Sequence, residues 1–185
     1  MKDFKEYENK GLTGLANVGN TCYLNSFVQI LSHTYELTQL LEKKEYIKKL
    51  NQKPDSVILL EFDKLRELMW SSNCTVAPNG FVNAIKKVAS FKKRDIFTGY
   101  DQNDLQEFLL FMFECFHNAL ARVVDMNITG SSHNETDELA KTCFNMLKHT
   151  YNKEYSEMLS LFHGTHVSEI SEIETGKSLS LRPEP

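Results

Sequence analysis

The chain lacks any pair of closely spaced cysteines. Its four cysteines, Cys22, Cys74, Cys115 and Cys143, stand far apart with no C-x-x-C among them. Neither a zinc knuckle nor a disulfide framework is therefore indicated, and a reducing compartment fits. Nor is there an apolar run of about 18 residues, the length a membrane-spanning helix needs. The opening Met1-Lys2-Asp3-Phe4-Lys5-Glu6 has no apolar stretch of the signal-peptide kind. These absences predict a soluble, intracellular protein, cytoplasmic or nuclear, with no membrane partner. The N-x-S/T matches at Asn73, Asn127 and Asn134 then meet no glycosylation machinery. Positive charge is not in excess either, the net charge being −4. Nucleic acid is excluded as a partner on that ground, and Lys43-Lys44, Lys48-Lys49 and Lys92-Lys93-Arg94 read as solvated faces.

Apolar material is plentiful: 41% of the 185 residues are hydrophobic and 11% aromatic, enough for the core of one ordinary domain or a piece of a larger one. Residues 1–10 read as a polar lead-in. Leu24, Phe27, Val28 and Leu31 fall at i, i+3, i+4 and i+7, one face of an amphipathic helix. A second helix is expected over Glu36–Leu50, stopping before Pro54, and a third from about Ser56 with Ile58, Phe62, Leu65 and Met69 on one side. After the Pro78-Asn79-Gly80 turn, Phe81, Ile85 and Val88 mark a short fourth. The run Leu110–Val124 is so rich in Leu, Phe, Met and Val that it is expected to be a central helix buried nearly all round. Asp125–Asp137 reads as a flexible polar loop, followed by a helix with Leu139, Cys143, Leu147 and Tyr151 in register. From Leu161 the pattern turns to that of strands, with Val167, Ile170 and Ile173 spaced among polar residues and Ser178-Leu179-Ser180-Leu181 alternating. These strands are expected to begin without partners to cover their edges.

The stretch most informative about chemistry is Gly14-Leu15-Ala16-Asn17-Val18-Gly19-Asn20-Thr21-Cys22-Tyr23-Leu24-Asn25-Ser26-Phe27-Val28-Gln29. Gly19 and Asn20 tolerate left-handed backbone, and Asn20 or Thr21 can cap the helix that follows. Cys22 then sits in the first turn, where unpaired N–H groups and the helix dipole favour an anion, and the thiolate is the nucleophilic form of cysteine. Asn17 lies five residues upstream, where its carboxamide can face an oxyanion forming beside Cys22. For a lone cysteine the ordinary reading is a small buried apolar residue. The length of this run argues otherwise. It resembles the cysteine box of the ubiquitin-specific proteases, papain-like thiol enzymes, matching at Gly14, Leu15, Asn17, Gly19 to Tyr23, Asn25, Ser26 and Gln29. By that resemblance Cys22 is the nucleophile and Asn17 the oxyanion donor.

A second stretch, Gln102-Asn103-Asp104-Leu105-Gln106-Glu107-Phe108-Leu109, places Asp104 and Glu107 in the first turn of a helix, where simple capping explains them. It too resembles a box of the same family, in which the aspartate, here Asp104, receives the basic C-terminal tail of ubiquitin. Gln102 is a further candidate for that tail. The family resemblance implies a mainly α chain. Residues 11–160 would form the helical thumb-like subdomain of a papain-like α+β cysteine protease, and residues 161–185 would begin a β-rich fingers and palm region at Phe162-x-Gly164. Many members carry zinc-binding cysteine pairs just beyond that step. Residues 168–175 hold no cysteine, and His163 and His166 have no C-x-x-C partner, so no zinc and no other cofactor is expected.

A nucleophilic cysteine needs a histidine to take its proton and later protonate the leaving amine. His33, His117, His133, His149, His163 and His166 are the histidines of the chain, and none stands in the Gly-His-Tyr-like setting of the family's C-terminal box. The general base is therefore expected outside these residues, in a C-terminal half that would be a partner of this one. Two readings stand. The first is a thiol-dependent deubiquitinase acting on ubiquitin or ubiquitinated proteins by an acyl-enzyme route; the second is a non-catalytic helical module that binds ubiquitin or another partner.

Overall fold

The computed structural model describes residues 5–176 and 178–184. The expected lead-in thus lies partly outside the described residues; from Lys5 it forms a 3-10 turn, Lys5–Tyr7. The chain divides into two compact units, Met1–Leu120 and Ala121–Pro185.

In the first unit, α1 (Cys22–Ser32) buries the face its spacing predicts, Leu24, Phe27, Val28 and Leu31. The helix expected over Glu36–Leu50 is broken in two. α2 covers Tyr35–Glu42, Lys44 adopts a left-handed φ of 55°, and a 3-10 turn follows at Glu45–Lys49. The physical reason is Asp63, a carboxylate only 1% exposed. The break brings the Lys44 ammonium onto it and sets the Tyr46 hydroxyl 2.7 Å from its Oδ2, while Arg66 Nε donates to Oδ1 at 2.9 Å. A buried carboxylate must be surrounded by donors, and that demand outweighs the helical pattern. Burial, and then the hydrogen bond to Asp63, drive the Tyr46 phenol pKa upward.

Three longer helices complete this unit: α3 (Asp55–Ser71), α4 (Asn79–Phe91) and α5 (Leu105–Leu120). α3 packs against α4 and α5, and α1 against α5. Aromatic rings fill the space between them, with Phe62 5.2 Å from Phe116 and Phe27 5.3 Å from Phe108, centroid to centroid. α5 departs from expectation at its end and on its surface. It stops at Leu120 rather than Val124. It buries a stripe of Phe108, Phe111, Met112, Cys115, Phe116 and Ala119, whereas Leu110 is 69% exposed. α1 and α3 cover that stripe, so an apolar composition alone overstated its burial. A two-residue parallel pairing, β1 (Gly14–Leu15) with β2 (Thr75–Val76), closes the unit beside α1.

In the second unit, α6 (Glu135–Lys153) begins when Asn134 Oδ1 accepts from the Asp137 amide at 2.8 Å, which shortens the predicted loop. A short α7 (Glu157–Phe162), not anticipated, is capped by Ser156. The terminal strands find each other: β3 (His166–Ser171) pairs antiparallel with β4 (Ser178–Glu184), His166 opposite Glu184. The chain reverses around Gly176, at φ +66°, whose amide bonds Glu172 O at 2.8 Å. This hairpin corrects the expectation of unpartnered strands, and Ile173, expected in a strand, lies fully exposed in the turn.

A partly buried ion cluster joins α3, the end of α4 and α5. Lys92 Nζ lies 2.8 Å from Asp55 Oδ1 and 2.7 Å from Glu114 Oε1, and Asn118 Nδ2 donates to Asp55 Oδ1 at 3.2 Å. Burial opposes the charge on Asp55, but the hydrogen bonds from Lys92 and Asn118 outweigh it and hold the carboxyl below its ordinary value. A carboxyl depressed on folding contributes stability that is complete above its unfolded pKa of about 3.9. That contribution is lost as pH falls through the lower folded value. Asp55→Asn is therefore expected to lower stability at pH 7 by about 1–2 kcal/mol, since Lys92 loses one charged partner but keeps Glu114. In urea titrations the gap to the parent protein should narrow below about pH 4. An equal gap at both pH values would contradict this.

Candidate active site

The loop before α1 is built around one side chain. Asn17 Oδ1 accepts from the Gly19 amide at 3.2 Å, the Thr21 amide at 3.0 Å and the Thr21 hydroxyl at 3.3 Å. Two backbone amides cannot be satisfied by the NH2 end, so these donors fix which way the carboxamide points. Nδ2 finds no acceptor among the described residues of this unit, on an exposed side chain. Gly19 at φ +110° and Asn20 at φ 52° make the turn that this arrangement requires, as their residue types predict.

Thr21 is the N-cap residue of α1 by position, yet its side chain makes no cap. The hydroxyl is turned upstream, where it also accepts from the Val18 amide at 3.1 Å. The first amides of α1, those of Cys22, Tyr23 and Leu24, consequently find no acceptor among the described residues of this unit. Cys22 is exposed at that end, so its sulfur stands beside unpaired donors and the positive end of the helix dipole. The same helix holds the loop from below. Gln29 Nε2 donates to Thr13 O at 2.7 Å, and Asn25 Nδ2 donates to Leu15 O and Ala16 O at 3.3 and 3.2 Å.

The stretch before α5 is laid across this loop and tied to it twice. Asn20 Nδ2 donates to Tyr100 O at 3.0 Å, and Asn103 Nδ2 donates to the Tyr23 hydroxyl at 3.1 Å. The Tyr100 ring lies where a Cβ on Gly19 would meet it at 3.1 Å, and its face carries the Lys86 ammonium 3.2 Å from the centroid. Between the two ties stands Gln102, whose Nε2 is 3.9 Å from Cys22 Sγ. Residues 80 apart in sequence, from the two stretches singled out by their pattern, thus meet at one thiol.

The sequence profile described as ubiquitin carboxyl-terminal hydrolase matches residues 13–178, spanning both stretches. The chain belongs to the ubiquitin carboxyl-terminal hydrolase family. It is 39% identical over 137 residues to ubiquitin carboxyl-terminal hydrolase Usp2 of Drosophila melanogaster, covering 74% of this chain and 14% of that protein. It is 38% identical over 118 residues to ubiquitin carboxyl-terminal hydrolase 2 of Homo sapiens, covering 62% of this chain and 19% of that one. The chain therefore spans less than a fifth of the length of these relatives. Among solved structures, the Ubp8-containing SAGA DUB module bound to monoubiquitin aligns with a TM-score of 0.57 at 18% identity, over 95% of this chain and 34% of that one. The same module bound to ubiquitin aldehyde gives 0.56 at 20% identity, over 95% and 34%. This chain thus shares the fold of about a third of each of those chains.

In this family member the predicted site residues occupy distinct stations. Cys22 and Gln102 touch, and Asn17 adjoins them through its hold on the Thr21 amide. Asp104 stands at the head of α5, where its Oδ1 accepts from the Gln106 and Glu107 amides at 2.8 and 3.0 Å. Of the two histidines in the first unit, His33 ends α1 with Nδ1 2.8 Å from Gln29 O, and His117 lies on α5. Among the described residues, the side chain within hydrogen-bonding distance of Cys22 Sγ is that of Gln102. Sequence reasoning did not single out Asn20, Tyr100 and Asn103 as the residues that hold the two stretches together, nor Asn25 and Gln29 as those that hold the loop to α1. Asn25 and Gln29, four apart on the helix and therefore on one side of it, were the signal available.

Asp104 is thus a helix cap. Asn caps about as well as Asp, so Asp104→Asn is expected to leave thermal stability nearly unchanged, whereas Asp104→Ala should cost about 1 kcal/mol. Equal losses in the two variants, measured by thermal unfolding, would show that charge rather than capping holds this helix end.

Proposed function

We propose that the chain carries the nucleophile and ubiquitin-tail portion of a thiol-dependent deubiquitinase. The observation that supports it most is the meeting of the two boxes at Cys22, with Gln102 Nε2 on the sulfur. In this reading the Cys22 thiolate forms a C–S bond to the carbonyl carbon of ubiquitin's C-terminal glycine, and the C=O pair moves to oxygen. Asn17 Nδ2, aimed outward because Oδ1 is committed to the loop, and the unpaired amide of Cys22 receive that oxyanion. Collapse restores the carbonyl and expels the lysine amine, leaving an acyl-enzyme that water hydrolyses.

In this reading the proton taken from the thiol and returned to the amine is carried by a histidine that these residues do not supply. Asp104 offers Oδ2, which has no partner among the described residues of this unit, to the basic tail of ubiquitin while Oδ1 caps α5. Residues 11–160 are then the helical thumb of a papain-like protease, and the hairpin opens its fingers and palm. The working place is the reducing interior of the cell, in cytoplasm or nucleus. The placement of His33 at the far end of α1, bonded to Gln29 O, supports a second reading for the chain by itself: a ubiquitin-binding module that does not turn over.

The test is a ubiquitin derivative bearing a C-terminal electrophile, presented to the protein at neutral pH and followed by mass spectrometry. Cys22 is expected to be labelled in preference to Cys74 and Cys143; labelling of the three at comparable rates would overturn the assignment. Asn17→Asp keeps the acceptor that organises the loop and loses the N–H donors. In the full-length protein it is expected to lower hydrolysis of a ubiquitin C-terminal amide by roughly 100- to 1,000-fold with little change in stability. A variant as active as its parent would remove Asn17 from the oxyanion hole.

A further inference from the structure

We infer that Gln102 is a catalytic residue, its side-chain amide donating a hydrogen bond to the sulfur of Cys22 and to the negative charge the sulfur carries as a thiolate. The inference rests on the reading of Cys22 as nucleophile and adds to it a donor arriving from the second stretch. Nε2 lies 3.9 Å from Sγ, a separation suited to an N–H···S contact, and among the described residues this side chain makes no other hydrogen bond. A carboxamide offers two N–H donors, whereas a neutral thiol is a weak acceptor; the interaction therefore strengthens as the thiol ionises.

The position of the amide is set by the fold. Gln102 is flanked on one side by the tie from Asn20 Nδ2 to Tyr100 O at 3.0 Å and on the other by the tie from Asn103 Nδ2 to the Tyr23 hydroxyl at 3.1 Å. Both anchors on the cysteine side, Asn20 and Tyr23, lie within two residues of Cys22. The backbone carrying Gln102 is thus fixed to the backbone carrying the thiol, although the glutamine itself is solvent-exposed. In the proposed reaction Asn17 acts on the oxyanion from the loop before the helix, and Gln102 acts on the sulfur from the opposite stretch. When the thiolate lone pair forms the C–S bond and the carbonyl pair moves to oxygen, Gln102 loses no proton; it supplies a dipole aimed at the reacting atoms. This use of the amide separates Gln102 from Asp104, which keeps the ubiquitin tail to itself.

The experiment needs neither ubiquitin nor turnover. In the 185-residue chain with Cys74 and Cys143 replaced by serine, Cys22 is the accessible thiol, since Cys115 is buried. Its alkylation by iodoacetamide, in which the thiolate displaces iodide, is followed from about pH 5 to 10. Gln102→Leu, which lacks the donor, is expected to move the rate profile to higher pH and to slow alkylation at pH 7 about three- to tenfold, the size of one hydrogen bond to a charged group. At the alkaline plateau the variant should be as fast as the parent or slightly faster, because a more basic thiolate is the better nucleophile. Gln102→Glu, nearly isosteric but acidic, should move the profile further in the same direction, and it decides the matter if the leucine variant folds poorly. Profiles that superimpose on the parent would overturn the proposal. A failure of the deubiquitinase reading would show instead as absent labelling by the ubiquitin electrophile with the Gln102 shift intact.

Discussion

An α-helix whose first residue is not capped keeps its leading amides unpaired, and the Cys22 region depends on that constraint. Thr21 has a side chain able to cap α1 and does not use it there; its hydroxyl serves the Val18 amide and Asn17 upstream. The donors at the start of α1 thus remain open beside an exposed sulfur. Hydrogen bonds that a structural helix would satisfy internally are here made elsewhere, by Asn17 gathering the loop, by Asn25 and by Gln29. Local stability is supplied by the loop, which leaves the helix terminus free for an anion.

A second consequence concerns pre-organisation. A site assembled from two loops works only if the loops keep their distance, because each ångström of slack weakens a dipole aimed at a forming charge. The ties from Asn20 and Asn103, the Tyr100 ring on Gly19 and the Lys86 ammonium over that ring hold the two stretches together. Beneath them the aromatic contact of Phe27 on α1 with Phe108 on α5 holds the two helices at 5.3 Å between rings. The order of construction runs from packed helices to tied loops to facing side chains. The thiol comes last, on top of the others.

Much of this was readable from residue pattern. The face of α1, the existence of α3, α4 and α6, the first-turn place of Cys22 and the cap at Asp104 followed from spacing and residue type, because those features are local. What escaped was decided by tertiary demand. Lys44 breaks a good helical pattern since Asp63 needs donors in the core, and no periodicity announces a buried carboxylate. α5 looked wholly buried because apolar composition does not say which side has neighbours. The pairing of β3 with β4 turned on a reversal at Gly176, whose role appears only once the strands are in register. The ties between the two stretches join residues about 80 apart, beyond the reach of any local rule.

The two stretches hold the Cys22 sulfur and the Gln102 amide together in the chain as it stands, before any ligand arrives. The measurement that tests this most directly is an isotope-edited NMR experiment on the 185-residue chain, looking for nuclear Overhauser contacts from the Gln102 side-chain amide protons to the β protons of Cys22. The structure predicts such contacts in the free protein, accompanied by contacts from the Asn103 side-chain amide to the Tyr23 ring. Assigned Gln102 and Cys22 signals with no contact between them would show a site that is open until substrate closes it, and would contradict the account.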